Sequence, residues 1–208
     1  MDYSIKNPEL FSIGSPLEKT SFGGNQEWYA KNWHQRAGCG PTSAANITSY
    51  LAHVDHNKGS LYSYDSLSII DFTKHMDELF TYVTPGSMGV NHINIFIDGI
   101  KAYALNKGVD ISIKSLSVDK KTRKNRSIED LKEFTKKGLE GNSPIAFLAL
   151  SRGKEHRLQN WHWITITSIV INGDQVIAKA SDEGLIRQFD LSLWYMTTKM
   201  HGGLIYLT

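Results

Sequence analysis

Cysteine is nearly missing from this chain, with one in 208 residues. A single thiol excludes an intramolecular disulfide and any multi-cysteine zinc or iron–sulfur centre. Charge of one sign is missing as well. Lys and Arg number 23 against 21 Asp and Glu, for a formal net charge of +2. Such a balance gives no whole-molecule field to steer nucleic acid or an anionic membrane. No apolar run approaches the ~18–20 residues that span a bilayer. The opening Met1-Asp2-Tyr3-Ser4-Ile5-Lys6-Asn7-Pro8 lacks a basic stretch followed by an apolar one. No signal peptide is read there, and the chain as written is expected in the cytoplasm; a leader removed ahead of it would make it secreted. Internal repeats and low-complexity tracts are also absent.

What is present is ordinary globular material, 40% hydrophobic with 17 glycines. A chain of this length is expected to form one domain, spanning 1–208, and to bury roughly 70% of its extended surface. The first 38 residues show no sustained period and are punctuated by Pro8, Gly14, Pro16, Gly23 and Gly24. A helix is predicted over 41–51, with Pro41 in its first turn and Ala44, Ile47, Thr48 and Leu51 on one stripe. A second is predicted over 68–83, its apolar face made by Ile69, Phe72, Met76, Leu79, Phe80 and Val83, with His75 on the polar side. A loop follows over 84–89. Asn91 is read as the cap of a third helix that runs to Leu105 and stops at Gly108.

The pattern then changes. Val109, Ile111 and Ile113 alternate with polar residues as in a half-buried strand. Ser127 is read as the cap of a helix through Lys137, ended by Gly138. Strands are predicted over 144–151, 161–171, 175–181, 185–189 and 204–207, with a helical turn over 190–196. Helices first and antiparallel strands second make an α+β fold, a helical lobe over about 33–108 and a sheet lobe over 109–208.

The lone Cys39 falls just before the first predicted helix, in Gln35-Arg36-Ala37-Gly38-Cys39-Gly40-Pro41-Thr42-Ser43. A helix N-terminus carries partial positive charge and free N–H groups, and both stabilise a thiolate. The thiolate, not the thiol, is the nucleophile. Gly38 and Gly40 leave the sulfur uncrowded, and Ser43, Ala44 and Ala45 let another layer pack close behind.

A thiol nucleophile needs a base, and eight histidines are available. His53 and His56 have the spacing of metal ligands but lack a third, and are read as surface or capping residues. His34 is near in sequence, which does not aim its ring at the sulfur. His162 opens a strand, and its surroundings can be argued from register. If Asn172-Gly173-Asp174 is a three-residue hairpin loop, Ile171 pairs with Gln175. Ile164 then pairs with Asp182, which makes His162 and Asp182 diagonal neighbours on one face, ~7–8 Å apart at the backbone. A carboxylate beside a ring nitrogen fixes the tautomer and supports an imidazolium. A two-residue turn would instead send Asp182 to the opposite face.

These residues resemble those of papain-like cysteine peptidases, and most closely the bacterial branch that processes bacteriocin leaders, the C39-like peptidases. The likeness rests on Gly38-Cys39-Gly40-Pro41-Thr42-Ser43, on His162-Trp163 opening a downstream strand, and on Ser181-Asp182-Glu183-Gly184 after the next one. It implies a papain-like fold, with the nucleophile helix of a helical lobe packed on a mostly antiparallel sheet. It implies Cys39 as nucleophile, His162 as base and then acid, and Asp182 as the orienting group. It also implies an oxyanion amide upstream of the cysteine, for which Gln35 is the nearest candidate and Asn32 the alternative. Trp33, Trp161 and Trp163 are expected to wall a substrate cleft, with the loop 84–91 opposite them.

The chemistry implied is acyl transfer on a peptide or small amide substrate, with no cofactor or metal, no nucleic acid and no membrane as partner. An acyltransferase or amidase on a non-peptide amide, and an inactive peptidase-like binding domain, stand as alternatives. A third reading takes the basic run Lys120-Lys121-Thr122-Arg123-Lys124-Asn125-Arg126 as a nucleic-acid contact, against its simpler reading as a solvated loop.

Overall fold

Residues 1–14, 20–119, 121 and 125–208 are described in a computed structural model. Pro16 and the Lys120, Thr122, Arg123 and Lys124 of the basic run lie outside the described residues. The helical part comprises α1 (Asn32–Ala37), α2 (Cys39–Val54), α3 (Ile69–Tyr82) and α4 (Ile93–Asn106). The strands that follow are β4 (Ile113–Val118), β5 (Ile145–Ala149), β6 (His162–Asn172), β7 (Gln175–Asp182), β8 (Leu185–Asp190) and β9 (Gly202–Leu207). Two further helices, α5 (Ile128–Glu140) and α6 (Leu191–Thr197), lie between strands. The supposedly irregular start contributes β1 (Asp2–Ser4), β2 (Ser12–Ile13) and β3 (Ser21–Phe22). Among the described residues no helix is long and apolar enough to cross a membrane.

The main sheet runs β4-β9-β5-β6-β7-β8 and every pairing in it is antiparallel. β1 joins as a seventh strand. It pairs with β6 at Ser168–Val170, beyond the stretch that β5 covers. A short N-terminal strand with one apolar residue facing in has no readable period, so only the waiting edge of β6 makes it a strand.

Helix α2 is the centre of the molecule. From Gly40 to Leu51 every residue is buried, because the helix lies on the sheet with other helices around it. Ser43 Oγ donates to the Ile164 carbonyl at 3.3 Å and lies 3.0 Å from Thr165 Oγ1, which pins the first turn of α2 to β6. Gly40 allows a close approach: a Cβ there would stand 2.8 Å from Val90.

Helix α3 starts where expected, with Ser68 accepting the Asp71 N–H. His75, however, is fully buried. It belongs to the stripe Phe72, His75, Met76, Leu79, and a residue at that spacing faces inward whatever its polarity. Its Nε2 lies 2.9 Å from Thr48 Oγ1. Helix α4 is capped by His92, whose Nδ1 accepts the Asn94 N–H, rather than by Asn91.

The strand expected at 109–113 is displaced. Val109 donates back to the Ala104 carbonyl and closes the end of α4, with Gly108 at φ 67°. Pairing begins at Ser112, which exchanges backbone hydrogen bonds with Thr208, and continues with Ile113 opposite Leu207. Helix α5 passes through Gly138 instead of ending there, since Gly138 packs against the Tyr206 ring, where a Cβ would meet ring carbon at 3.0 Å.

The β6–β7 hairpin differs from the expected one in a way that decides the site. Its loop has two residues, with Asn172 opposite Gln175 and Ile171 opposite Val176. That register alone would place Asp182 on the wrong face. Between Ile166 and Ser168 a β-bulge moves the pairing by one residue, so that Ile166 faces Ala180 and Thr165 faces Ser181. One more step sets Ile164 opposite Asp182. The bulge at Thr167 thus restores, at the site end, the pairing that the longer loop would have produced.

Candidate active site

Three side chains meet where α2 begins and where β6 and β7 have their site-end termini. Cys39 is the first residue of α2, His162 the first of β6 and Asp182 the last of β7. His162 is 8% exposed and Asp182 3%, while Cys39 is only half-buried. His162 Nε2 and Asp182 Oδ1 are 2.7 Å apart. That bond leaves Nδ1 for another partner, and the thiol of Cys39, which lines the same crevice as His162, acts on the imidazole and raises it.

Electrostatics follow from the geometry. Burial alone would drive His162 neutral. The hydrogen bond to Asp182, followed by the contact with Cys39, outweighs burial and pushes the imidazole up to about 10. Burial would likewise raise Asp182, but its bond to His162 and the charges of His162 and Arg187 hold it below the usual carboxylate range. Arg187, which the sequence reading passed over, donates from Nε to Asp182 Oδ2.

The flanking residues separate into two sets. Trp33 and Trp161, 47% and 42% exposed, line a cleft of about 180 Å³ beside Cys39, with Met88 and Val90 from the expected loop as the other wall. Trp161 adopts φ 59°, a left-handed backbone that costs a bulky residue on the order of 1–3 kcal/mol. Trp163 belongs to the opposite face of β6 and is buried. Its ring stacks on Phe96 at 4.7 Å and its Nε1 donates to the Val90 carbonyl at 2.6 Å, so it braces the cleft wall from behind.

The amide candidates are placed differently from expectation. Gln35 Nε2 donates to the Tyr29 and Glu27 carbonyls at 2.8 and 3.2 Å. Its side chain holds the loop before α1 and lines neither side of the thiol. Asn32 is exposed at the start of α1 and lines neither side as well. The amide beside Cys39 and His162 is Gln26, in a crevice that also includes Glu183. Its Oε1 is buried with no hydrogen-bond partner among the described residues. Gly24 donates to Asn46 Oδ1 at 2.8 Å and so ties the Gln26 loop to α2. The signal in the sequence was Gly23-Gly24, a pair that lets the backbone come close to the side chains of Ser181, Asn46 and Thr42.

The other histidines weighed from the sequence lie elsewhere. His34 stacks on Phe80 at 3.8 Å, turned away from the sulfur. His53 Nδ1 lies 2.7 Å from the Ser49 carbonyl near the end of α2. Neither His53 nor His56 joins a set of metal donors among the described residues; such a set forms only from His162, Asp182 and Glu183, within 4.8 Å of one another. Arg187 already neutralises Asp182, which disfavours a cation at that set and suits it to moving protons.

No family model matches this chain, and no curated protein matches it. Among solved structures it is similar to the crystal structure of UfSP from C. elegans, with a TM-score of 0.54 at 9% identity. That likeness covers 100% of this chain and 34% of the other, so the chain spans about a third of the length of the structure it matches. At this identity the likeness shows the fold, α+β with helices and a mostly antiparallel sheet in the papain-like arrangement.

Proposed function

We propose that the chain is a cysteine peptidase-like hydrolase that cleaves a peptide or small amide bond through a Cys39–His162–Asp182 acyl-enzyme mechanism. The observation that carries the reading is the alignment of thiol, imidazole and carboxylate at the start of a buried helix, beside a cleft walled by exposed tryptophans. Cys39 Sγ attacks the carbonyl carbon and the C–S bond forms. His162 gives its proton to the leaving amine as the C–N bond breaks. His162 then takes a proton from water, whose oxygen attacks the thioester, and Cys39 leaves.

Asp182 holds the tautomer and supports the imidazolium between these steps. The developing oxyanion is received by the Cys39 N–H and, in this reading, by the Gln26 amide in place of Gln35. Trp33, Trp161 and Met88 favour an apolar group next to the scissile bond. The finer likeness to the peptidases that process bacteriocin leaders belongs to this proposal too, resting on the motif around Cys39. A peptide or small amide remains the proposed partner, without nucleic acid or membrane.

The deciding experiment is alkylation by iodoacetamide with mass-spectrometric readout. Cys39 in the folded protein is expected to react faster than free cysteine below neutral pH, and Cys39→Ala to abolish hydrolysis of a peptide library while leaving thermal stability nearly unchanged. Alkylation slower than free cysteine, together with unfolding of Cys39→Ala, would make Cys39 a packing residue and end the proposal.

A further inference from the structure

What holds Asp182 matters as much as what Asp182 holds. Both of its oxygens are occupied, Oδ1 by His162 and Oδ2 by Arg187 Nε. Arg187 stands on β8, and its Nη1 also donates to the Arg157 carbonyl at 3.2 Å. Arg157 lies in the segment that leads into β6 and is itself anchored. Its Nε and Nη2 donate to the two carboxylate oxygens of buried Glu155 at 2.9 and 2.6 Å. Glu155 Oε2 in turn accepts the Asp190 N–H at the end of β8, at 2.7 Å. The Arg187 guanidinium therefore joins β8, the end of β7 and the segment before His162.

We propose that Arg187 is a positioning residue for the Cys39–His162 pair, pinning Asp182 in one orientation and supplying a fixed positive charge that sets the pH range in which the pair exists as thiolate and imidazolium. This rests on the peptidase reading of the same site.

The physical argument has two parts. A buried carboxylate with one free oxygen can rotate or draw a proton, and either event releases the imidazole. Arginine stays charged at every working pH and its planar fork fits two acceptors at once. Its positive charge holds Asp182 ionised, and the ionised carboxylate is what keeps an imidazolium beside the thiol as the pH falls. Around His162 stand Cys39 from α2, Asp182 from β7 and Glu183 from the β7–β8 turn, with Arg187 from β8 on the far oxygen of Asp182. Glu183 opposes Arg187 without bonding to it, and the charge of Arg157 is taken up by Glu155.

The test is the pH profile of Cys39 alkylation by iodoacetamide in the full chain, for wild type, Arg187→Met, Arg187→Gln and Arg187→Lys. For Arg187→Met the acid limb is expected to move up by about one pH unit, which lowers the rate at pH 5 roughly five- to tenfold. The Lys variant is expected to keep the wild-type limb, because it keeps the charge. A merely structural residue would lower stability without moving the limb. An Arg187→Met protein with native near-UV circular dichroism and an unmoved limb overturns the inference. If the Met variant does not fold, Arg187→Gln is read by the same criterion. If neither neutral variant folds, an Arg187→Lys limb displaced from wild type overturns the inference and a coincident limb supports it. A wild-type thiol no faster than free cysteine below neutral pH overturns the peptidase reading, and this inference with it. A fast wild-type thiol with unmoved variants overturns this inference alone.

Discussion

At the scale of single residues, the His162–Asp182 pair makes a testable link between charge and stability. His162 is raised in the folded state from 6.5 to about 10. Its contribution is therefore fully present below about pH 6.5 and is lost as pH rises through about 10. Urea denaturation of wild type and His162→Gln, followed from pH 6 to pH 10, is expected to give a stability difference that shrinks steadily over that window. A difference that is constant with pH would refute the pairing. Gln26 makes a second prediction. Gln26→Ala is expected to reduce turnover by about 10²–10³-fold with Cys39 alkylation unchanged, as for loss of one oxyanion donor. Gln35→Ala is expected to weaken the loop before α1 instead, read as a lower melting temperature with alkylation unchanged. Cys39 was legible because its neighbours are unusual; Gln26 was not, since its approach to the thiol depends on a hydrogen bond between Gly24 and Asn46 that is distant in sequence.

At the scale of elements, the pairing at the site end of β6 carries the site. Deleting Thr167 removes the extra residue and leaves Ile166 opposite Ala180 and Ile164 opposite Asp182, so the ladder becomes regular and Asp182 stays on the face of His162. The rapid alkylation of Cys39 below neutral pH is expected to persist in that variant, with far-UV circular dichroism retained. Alkylation reduced to the level of free cysteine would mean that the pairing opposite Asp182 is not what holds the site. At Gly40, substitution by Ala places a Cβ 2.8 Å from Val90 and is expected to cost about 1–3 kcal/mol by overpacking, read from the urea midpoint. Helices α2, α3 and α5 were legible within a few residues, because their apolar periods, and the serine caps of α3 and α5, are local signals. The shift of β4 and the strand character of 2–4 were not. A strand edge is made by its partner, and Ile113 and Tyr3 have theirs in β9 and β6.

At the scale of the whole molecule, His75 reports on how the helices close around α2. Burial drives its imidazole from 6.5 down to about 3, so it stays neutral in the folded chain and gains a proton on unfolding. Stability is therefore expected to fall as pH drops from about 6.5 toward 3, by about 1.4 kcal/mol per pH unit at most. A His75→Gln variant that folds is expected to lose that slope, measured by urea denaturation across the window. An unchanged slope would place the acid sensitivity elsewhere.

The sequence by itself determined the helix-then-strand order and the helix behind Cys39, which follow from local periodicity, capping and residue chemistry. It singled out His162 and Asp182 as candidates through an assumed hairpin loop and a family resemblance. Only the tertiary structure decided that Asp182 faces His162 through a bulge rather than a longer loop, that Gln26 and not Gln35 lies beside the thiol, and that Arg187 closes the carboxylate's second oxygen. Those facts depend on register and on contacts between distant segments, which no local pattern encodes. The scarce residue of the composition, one cysteine, thus gains its chemistry from partners that only folding brings to it.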